Sequence, residues 1–466
     1  MSDTQQEGAQ DLARQLRSLS AVRQTTRLAL EHAAHLQHFE VSIDKIDPVV
    51  QGVLNLIARD YPSPAHVPFH SRWRHFEGPR PSQQRIAPLA ASWQCSATEK
   101  VRRLVDLFVV SVLLDAGAGP DWSFFFEDKN GKTKATRSEG LALASLSWFL
   151  KGGFSASSTT LHRVDASILT SPDKISPTTL SAAFQVSDNN PLVGVEGRCT
   201  LLNRLGTVLH ENPRFFYNKD NDDYRPGNMV DYILAHPSRV NNSSSSSGGV
   251  SVPVDVLWEV VMDGLSGVWP ATRTSIAGIS LGDVWPCDFL KRVDLSGAGD
   301  IPRHAAKHGY YFMAFHKLSQ WLTYSLMEPF SLLNCTFTNM DVMTGLAEYR
   351  NGGLFVDMGV ITLKPDTLTR GLETARSSST TIPTEQIVPR FQVHDDAVVE
   401  WRALTVALLD VVGDRVRAEL GMTAAQLPLV KVLEAGTWKL GREVAAQLRP
   451  LTKGPPIDII SDGTVF

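Results

Sequence analysis

The sequence predicts a mainly α, compact multi-helix fold with a small β element. Three observations predict it. Apolar residues recur at helical spacing in several long windows. These windows stop at helix breakers such as Gly421 and Pro329. One stretch, LFVDMGVITL (354–363), follows the turn-former Asn351-Gly352-Gly353 and has the composition of a strand.

Residues 10–38 carry Leu12, Leu16, Leu19, Val22, Leu28 and Leu30 among charged residues, the pattern of an amphipathic helix. EKVRRLVDLFVVSVLLD (99–115) begins charged and becomes apolar on all sides, which suits a helix driven into the core. SEGLALASLSWFL places Ser138 as an N-cap and Glu139 in the first turn, with Gly152-Gly153 as a stop. Residues 155–250 are rich in Ser, Thr, Pro and Asn, with shorter helices around 199–210 and 228–235. The tract NNSSSSSGG (241–249) reads as a flexible loop. Helical patterns resume at 254–269, 312–330, 395–421 and 424–448. Residues 1–60 read as an N-terminal helical segment and 61–466 as the helical catalytic domain.

Composition limits the function. The chain has 466 residues, 43% hydrophobic and 20% charged, with a net charge of −4. That is ordinary globular composition, and it lacks the basic excess of a nucleic-acid binder. The longest apolar run, LFVVSVLL (107–114), is far short of the roughly 20 residues that span a bilayer. MSDTQQEGAQ has no apolar leader core, and the four cysteines are widely spaced without CxxC. A cytoplasmic protein with free thiols is expected, and the Asn334-Cys335-Thr336 glycosylation acceptor is discounted. The chain has no GxGxxG after a strand, no GxxxxGK[ST], no HExxH and no GxSxG, so dinucleotide, P-loop, zincin and α/β-hydrolase chemistry are not first choices. No cofactor and no metal are expected.

Several stretches exceed structural need. In HSRWRHFE (70–77) the preceding prolines disfavour helix, so the backbone is expected extended. His70, Arg72 and Arg74 would then share one side and form part of an anion-binding wall, since guanidinium offers forked donors. An exposed basic strand pairing with acidic neighbours is as good a reading, and metal binding by His70 and His75 is a third. Asp115 ends the most apolar helix, facing its negative pole, where desolvation raises a carboxyl's pKa. Asp115 shaping the AGAG turn through backbone N–H groups is the plainer alternative. In FMAFHKLSQWLTYSL, His316, Gln320 and Thr323 lie at i, i+4 and i+7, and Lys317, Trp321 and Tyr324 repeat the spacing. Such a stripe suits a pocket wall or a half-buried rim. GLAEYRNGG (345–353) joins Glu348, Tyr349 and Arg350 to a turn, at Asn351, that would bare N–H groups to an oxyanion. A hairpin turn with a surface salt bridge fits equally. LGDVWP places Asp283 beside Trp285, and SDGTVF suggests a docked tail.

Together HSRWRHFE, SVLLDAGAGPDW, RSEGLALASLSWF, GDVW, FHKLSQWLTYSLMEP, TGLAEYRNGGLFVD, EWRALTVALLD, GTWKLGR and SDGTVF resemble the fungal uracil-catabolism protein four family, which also has bacterial members. The resemblance runs in order over nearly the whole chain. It implies a role in the pyrimidine-degrading route that passes through ribosylurea or its phosphate. FHKLSQWLTYSL is also similar in pattern to a helix of the queuosine salvage nucleoside hydrolases, whose fold is akin to the DNA glycosylases. That likeness rests on Gln320 and the apolar spacing, and it favours an N-glycosidase.

Breaking a ribose–urea C–N bond develops positive charge on the sugar and negative charge on urea, which a carboxylate and a proton donor stabilise. Asp115, Asp283 and Glu348 are the candidate catalytic carboxylates, with Glu139 a fourth that more simply serves its helix N-terminus. Arg72, Arg74, Lys317 and Arg350 would take a 5-phosphate. Trp321 and Tyr349 would cover the urea or ribose, and His70, His316, Gln320 and Asn351 complete the expected substrate contacts. The expected partner is a small ribosyl-urea substrate, with no nucleic acid and no membrane. Two other readings stay open: a metal-dependent amidohydrolase using His70, His75 and His316, and a non-catalytic pathway partner.

Overall fold

The computed structural model describes residues 3–78, 84–119, 121–128, 131–242, 249–269, 273–297, 311–377 and 386–460. Helix makes up 59% of it, so the fold is mainly helical, and the described strands are short, from Tyr217–Asn218 at two residues to Ser123–Asp128 at six. None of the described helices is long and apolar enough to cross a membrane.

The chain divides into two units. The first comprises residues 1–69, 272–320 and 341–462; the second comprises 70–271, 321–340 and 463–466. The sequence-based boundary at residue 60 is a different partition of the same chain. The division falls inside the helix Lys317–Phe330, between Gln320 and Trp321.

In the second unit, the helix Ala97–Leu113 is capped by Ser96, whose hydroxyl accepts from Glu99 N, and its residues from Leu104 to Leu113 are all buried. Apolarity on every side reads correctly as burial on every side. The helix Arg137–Leu150 packs against it, and Ser111 and Ser145 hydroxyls meet at 2.6 Å. The expected N-cap, Ser138, lies inside this helix; the N-cap is Thr136, which makes no side-chain capping bond. Gly152, at φ 74, follows its end. The antiparallel hairpin Ser123–Asp128 with Gly131–Thr136 was not expected from the sequence. Val240–Asn242 and Gly249–Pro253 pair antiparallel, and Gly249–Pro253 pairs parallel with Cys335–Thr338. The expected serine loop falls mostly on 243–248, and the expected docked tail on 461–466; both lie outside the described residues.

HSRWRHFE is not extended. Ser71 accepts from Trp73 N and caps a helix, Arg72–Glu77, that stops at Gly78 with φ 72. The preceding prolines act only up to residue 70, and a serine N-cap then supplies the start that the extended reading lacked. Helical spacing puts Arg72 and His75 on one face, and Trp73 donates to Glu77 at 3.1 Å on another. The period-two grouping of His70, Arg72 and Arg74 is therefore overturned.

In the first unit, Ser18 splits the expected 10–38 helix into Asp3–Leu16 and Leu19–Glu31 by capping the second. The helix Asp396–Leu420 is capped by Asp395 and closed by Gly421 at φ 62. It runs against Leu19–Glu31. The expected 312–330 helix is a strand, Phe312–Ala314, paired with Val284–Pro286, and then a helix from Lys317 with Pro329 in its last turn. His316 separates them at φ 48, a left-handed conformation uncommon outside glycine.

The expected hairpin at 351–363 is a second correction. Tyr349–Asp357 is a helix, and only Ile361–Leu363 is strand, paired with Phe39–Val41. The glycines serve close approach, not a turn. A Cβ on Gly352 would stand 2.6 Å from Thr405 Oγ1 and 2.8 Å from Trp401 Nε1. We expect Gly352→Ala to destabilise the protein by about 1–3 kcal/mol through overpacking, read as a lower urea midpoint. An unchanged midpoint would contradict this packing account.

Candidate functional site

The second unit gathers Arg72, His75, Asp115 and Trp321, with His70 and Glu139 beside them. Arg72 is fully buried. Its Nε donates to Ser111 Oγ (2.8 Å), its Nη2 to Ser111 O (3.0 Å) and its Nη1 to Ser138 O (3.2 Å), while its backbone N donates to Ser325 Oγ (2.9 Å). Its guanidinium lies over the Trp321 and Phe76 rings at 5.6 and 5.8 Å. Asp115 Oδ1 lies 3.1 Å from Arg72 Nη1. That oxygen is buried and makes no hydrogen bond, so the contact is an ion pair without hydrogen-bond alignment. The anion on this arginine is thus the protein's own carboxylate. Arg74 likewise pairs with Glu328 at 2.8 Å.

The C-terminal end of the helix Ala97–Leu113 carries a countercharge that the sequence argument missed. Arg198 Nε donates to Leu114 O (3.1 Å), and its Nη2 donates to Ala116 O and Gly117 O. A cation on these carbonyls offsets the negative pole that Asp115 was expected to face.

Arg72 also fixes the state of His75. Nη1 lies 3.3 Å from His75 Nδ1. A guanidinium only donates, so Nδ1 accepts and the ring proton sits on Nε2. Burial, reinforced by the Arg72 charge, pushes His75 down to about 4 from 6.5. The imidazole is neutral at physiological pH. Its ring is 5.5 Å from Trp321 and 6.4 Å from His70. The Trp321 Nε1 is buried without a hydrogen-bond partner. Glu139 acts electrostatically on both Arg72 and His75.

Between pH 4 and 6.5 the unfolded chain binds a proton at His75 and the folded chain does not, so this group's stability contribution is complete above 6.5 and lost as pH falls toward 4. The full shift corresponds to about 3 kcal/mol. Urea denaturation at pH 7 and pH 4.5 should show the native chain losing about 2 kcal/mol more than His75→Gln; equal losses would refute a neutral, buried His75.

The first unit holds the other expected residues, engaged differently. Asp283 accepts from Arg402 through both carboxylate oxygens (2.9 and 2.7 Å), from Trp285 Nε1 (2.7 Å) and from Lys317 N (3.0 Å). Burial alone would raise its pKa, but Arg402 and these donors outweigh it and hold the carboxyl well below the usual range. Saturated and ionised, Asp283 anchors the start of the Lys317–Phe330 helix and does not fit the part of proton donor. Glu348 is the N-cap of Tyr349–Asp357, accepting from Arg350 N (2.8 Å) and Asn351 N (2.5 Å). Burial raises its pKa, and those two N–H groups oppose the rise. The N–H groups expected to greet an oxyanion are therefore occupied by Glu348 itself.

The remaining expected contacts are also internal. His316 Nε2 lies 2.7 Å from Leu16 O, and burial lowers its pKa. Gln320 donates to Phe315 O and Thr344 Oγ1 and accepts from Thr344 N. Arg350 donates to Lys453 O at 3.0 Å and lies over the Tyr349 ring at 5.1 Å. Asn351 is fully buried; its amide donates to Leu346 O, and its Oδ1 has no hydrogen-bond partner.

For a metal, the donor group found among the described residues is His38, Asp396 and Glu400 in the first unit, with ligand atoms within 4.8 Å of one another. It fits poorly. Glu400 accepts from Gln37 N, His38 N and Arg292, whose Nη2 is 2.6 Å away, so a guanidinium already supplies the positive charge. At His75, Arg72 occupies the Nδ1 lone pair and so keeps the ring proton on Nε2, which leaves neither nitrogen with a lone pair for a metal.

Fold and site define a mainly helical protein with a buried carboxylate–guanidinium–imidazole cluster clamped onto one apolar helix. The chain belongs to the family described as "Protein of unknown function (DUF1688)", which matches residues 15–466. It is 39% identical to "Uracil catabolism protein 4" of Lachancea kluyveri over 460 residues, 97% of this chain and 98% of that one. It is 37% identical to "Protein urg3" of Schizosaccharomyces pombe over 463 residues, again 97% and 98%.

Proposed function

We propose that this protein acts in uracil catabolism as a hydrolase, cleaving the N-glycosidic bond of ribosylurea or ribosylurea 5-phosphate to urea and ribose or ribose 5-phosphate. The pathway rests on the likeness to a named uracil catabolism protein. The chemistry rests on one observation, a buried Asp115 Oδ1 held 3.1 Å from Arg72 with no hydrogen bond of its own, beside a neutral imidazole.

The roles follow from the charges that develop. As C1–N breaks, Asp115 faces the positive sugar ring and takes a proton from the water that attacks C1. The His75 Nε2–H donates a hydrogen bond to the ureido oxygen and stabilises the negative charge that develops there, without transferring its proton; the proton that Asp115 takes from water passes to the departing nitrogen, giving neutral urea and the free sugar. Arg72 binds no substrate; it fixes the positions of Asp115 and His75. Trp321 offers a flat apolar wall and an unpartnered N–H.

Purified protein mixed with ribosylurea, and separately with its 5-phosphate, tests this reading through urease-coupled ammonia detection. Release of urea from either supports it. No release from either, with and without added divalent metals, would refute it.

A further inference from the structure

We propose that the second unit carries a separate binding site for a phosphate monoester of a sugar or nucleoside, in a cleft of about 810 Å³ none of whose lining residues belongs to the Asp115 cluster. The helix Ala97–Leu113 forms one wall, and the segments 156–167 and 221–225 form others.

Each carboxylate of the cleft is engaged by a donor of the protein, whereas part of the donor set has no acceptor among the described residues. Glu99 Oε1 accepts from Arg103 Nε and Arg225 Nη1, both at 3.0 Å. Asp165 accepts from Arg163 Nε and Ala156 N, both at 2.8 Å. Asp223 accepts from Arg163 Nη2 at 2.7 Å and Asn228 Nδ2 at 2.9 Å. Asp222 accepts from the Tyr217 hydroxyl at 2.9 Å. Against these, Arg102 Nε is buried with no partner. Arg103 bonds through Nε alone among the described residues, leaving both Nη groups without an acceptor, and its plane is set over Trp93 at 5.6 Å.

A guanidinium whose two Nη groups are not engaged by the described residues, beside the second cation Arg102, suits an oxyanion of several acceptor oxygens. A cation would find each of these carboxylates already engaged. The cleft is also lined by a ring pair, His210 and Tyr224, with centroids 4.5 Å apart. That pair gives a sugar or base a face to rest on, which free phosphate would not use. The volume admits such a ligand, since small-molecule sites run from roughly 300 to 1,000 Å³.

Isothermal titration of the full chain with ribose 5-phosphate, uridine 5′-monophosphate, inorganic phosphate and ribose tests the proposal. At least one ester should bind, more tightly than inorganic phosphate, and ribose should not bind. Arg103→Gln should weaken the ester about tenfold or more, and Asp115→Asn should bind it as the native chain does. Arg103→Lys keeps the charge and the stem over Trp93, so it should show a smaller loss and guards against a folding defect in the glutamine variant. Binding of neither ester would overturn the proposal, as would unchanged affinity in both Arg103 variants. Loss of binding in Asp115→Asn with full binding in Arg103→Gln would place the ester at the other cluster and overturn it equally.

Discussion

Replacing Arg72 by methionine should lower the stability of the protein by about 3–5 kcal/mol, the cost of removing one partner from a buried ion pair. The reason lies in the number of groups that depend on this one side chain. Ser111 O, Ser138 O and Ser111 Oγ would each lose a donor, and Asp115 would lose its ion-pair partner. Methionine fills the space beside Trp321 and Phe76, so lost packing is the smaller part of the effect. For a unit of this size the melting temperature should fall by roughly 10 °C. Arg72→Lys keeps the charge but not the planar fork, and it should recover only part of the loss. Thermal melts and urea titrations of the three chains measure this. A loss under about 1 kcal/mol for the methionine variant would mean that Arg72 is not the clamp described.

Asp115→Asn should lower kcat on the ureido-glycoside by about 10³, within the usual range for removing a general base. KM should change little, because Asp115 acts on the water and on charge that appears as the bond breaks. The stability cost should be smaller than that of the Arg72 variant, since asparagine still presents an oxygen to Arg72 and the Ser111 and Ser138 acceptors remain. The contrast separates the two residues: Arg72 variants lose structure, and Asp115→Asn loses rate on an intact scaffold. A tenfold or smaller effect on kcat, in a variant that melts as the native chain does, would remove Asp115 from the chemistry.

What the sequence makes legible is the part governed by local periodicity and local breakers. The Ala97–Leu113 helix is readable because its second half is apolar on every side, and Asp396–Leu420 because Asp395 and Gly421 bracket it. Two stretches mislead for the same reason: a local signal is overridden by a distant one. Asn351-Gly352-Gly353 has the chemistry of a turn, yet Gly352 lets its helix touch Trp401 and Thr405, and Gly353 lets it touch Pro456. RWRHFE has proline before it and reads extended, yet Ser71 caps it and Ser111 and Ser138 hold its first arginine. The pairing of Arg72 with Asp115, 43 positions apart, has no local signature. Nor does Arg198 at the end of the apolar helix, whose absence from the sequence argument left Asp115 looking uncompensated. His75 entered that argument only as a metal ligand; once the stretch is helical, its i+3 relation to Arg72 is the signal that finds it.

Carbon NMR of ribosylurea labelled with ¹³C at the ureido carbon, followed during turnover by the purified protein, tests the central claim most directly. Cleavage of C1–N should move the label straight into free urea while the sugar appears as the aldose. Label passing into carbamate or bicarbonate, with no urea formed, would show attack on the ureido carbon and contradict glycosidic hydrolysis.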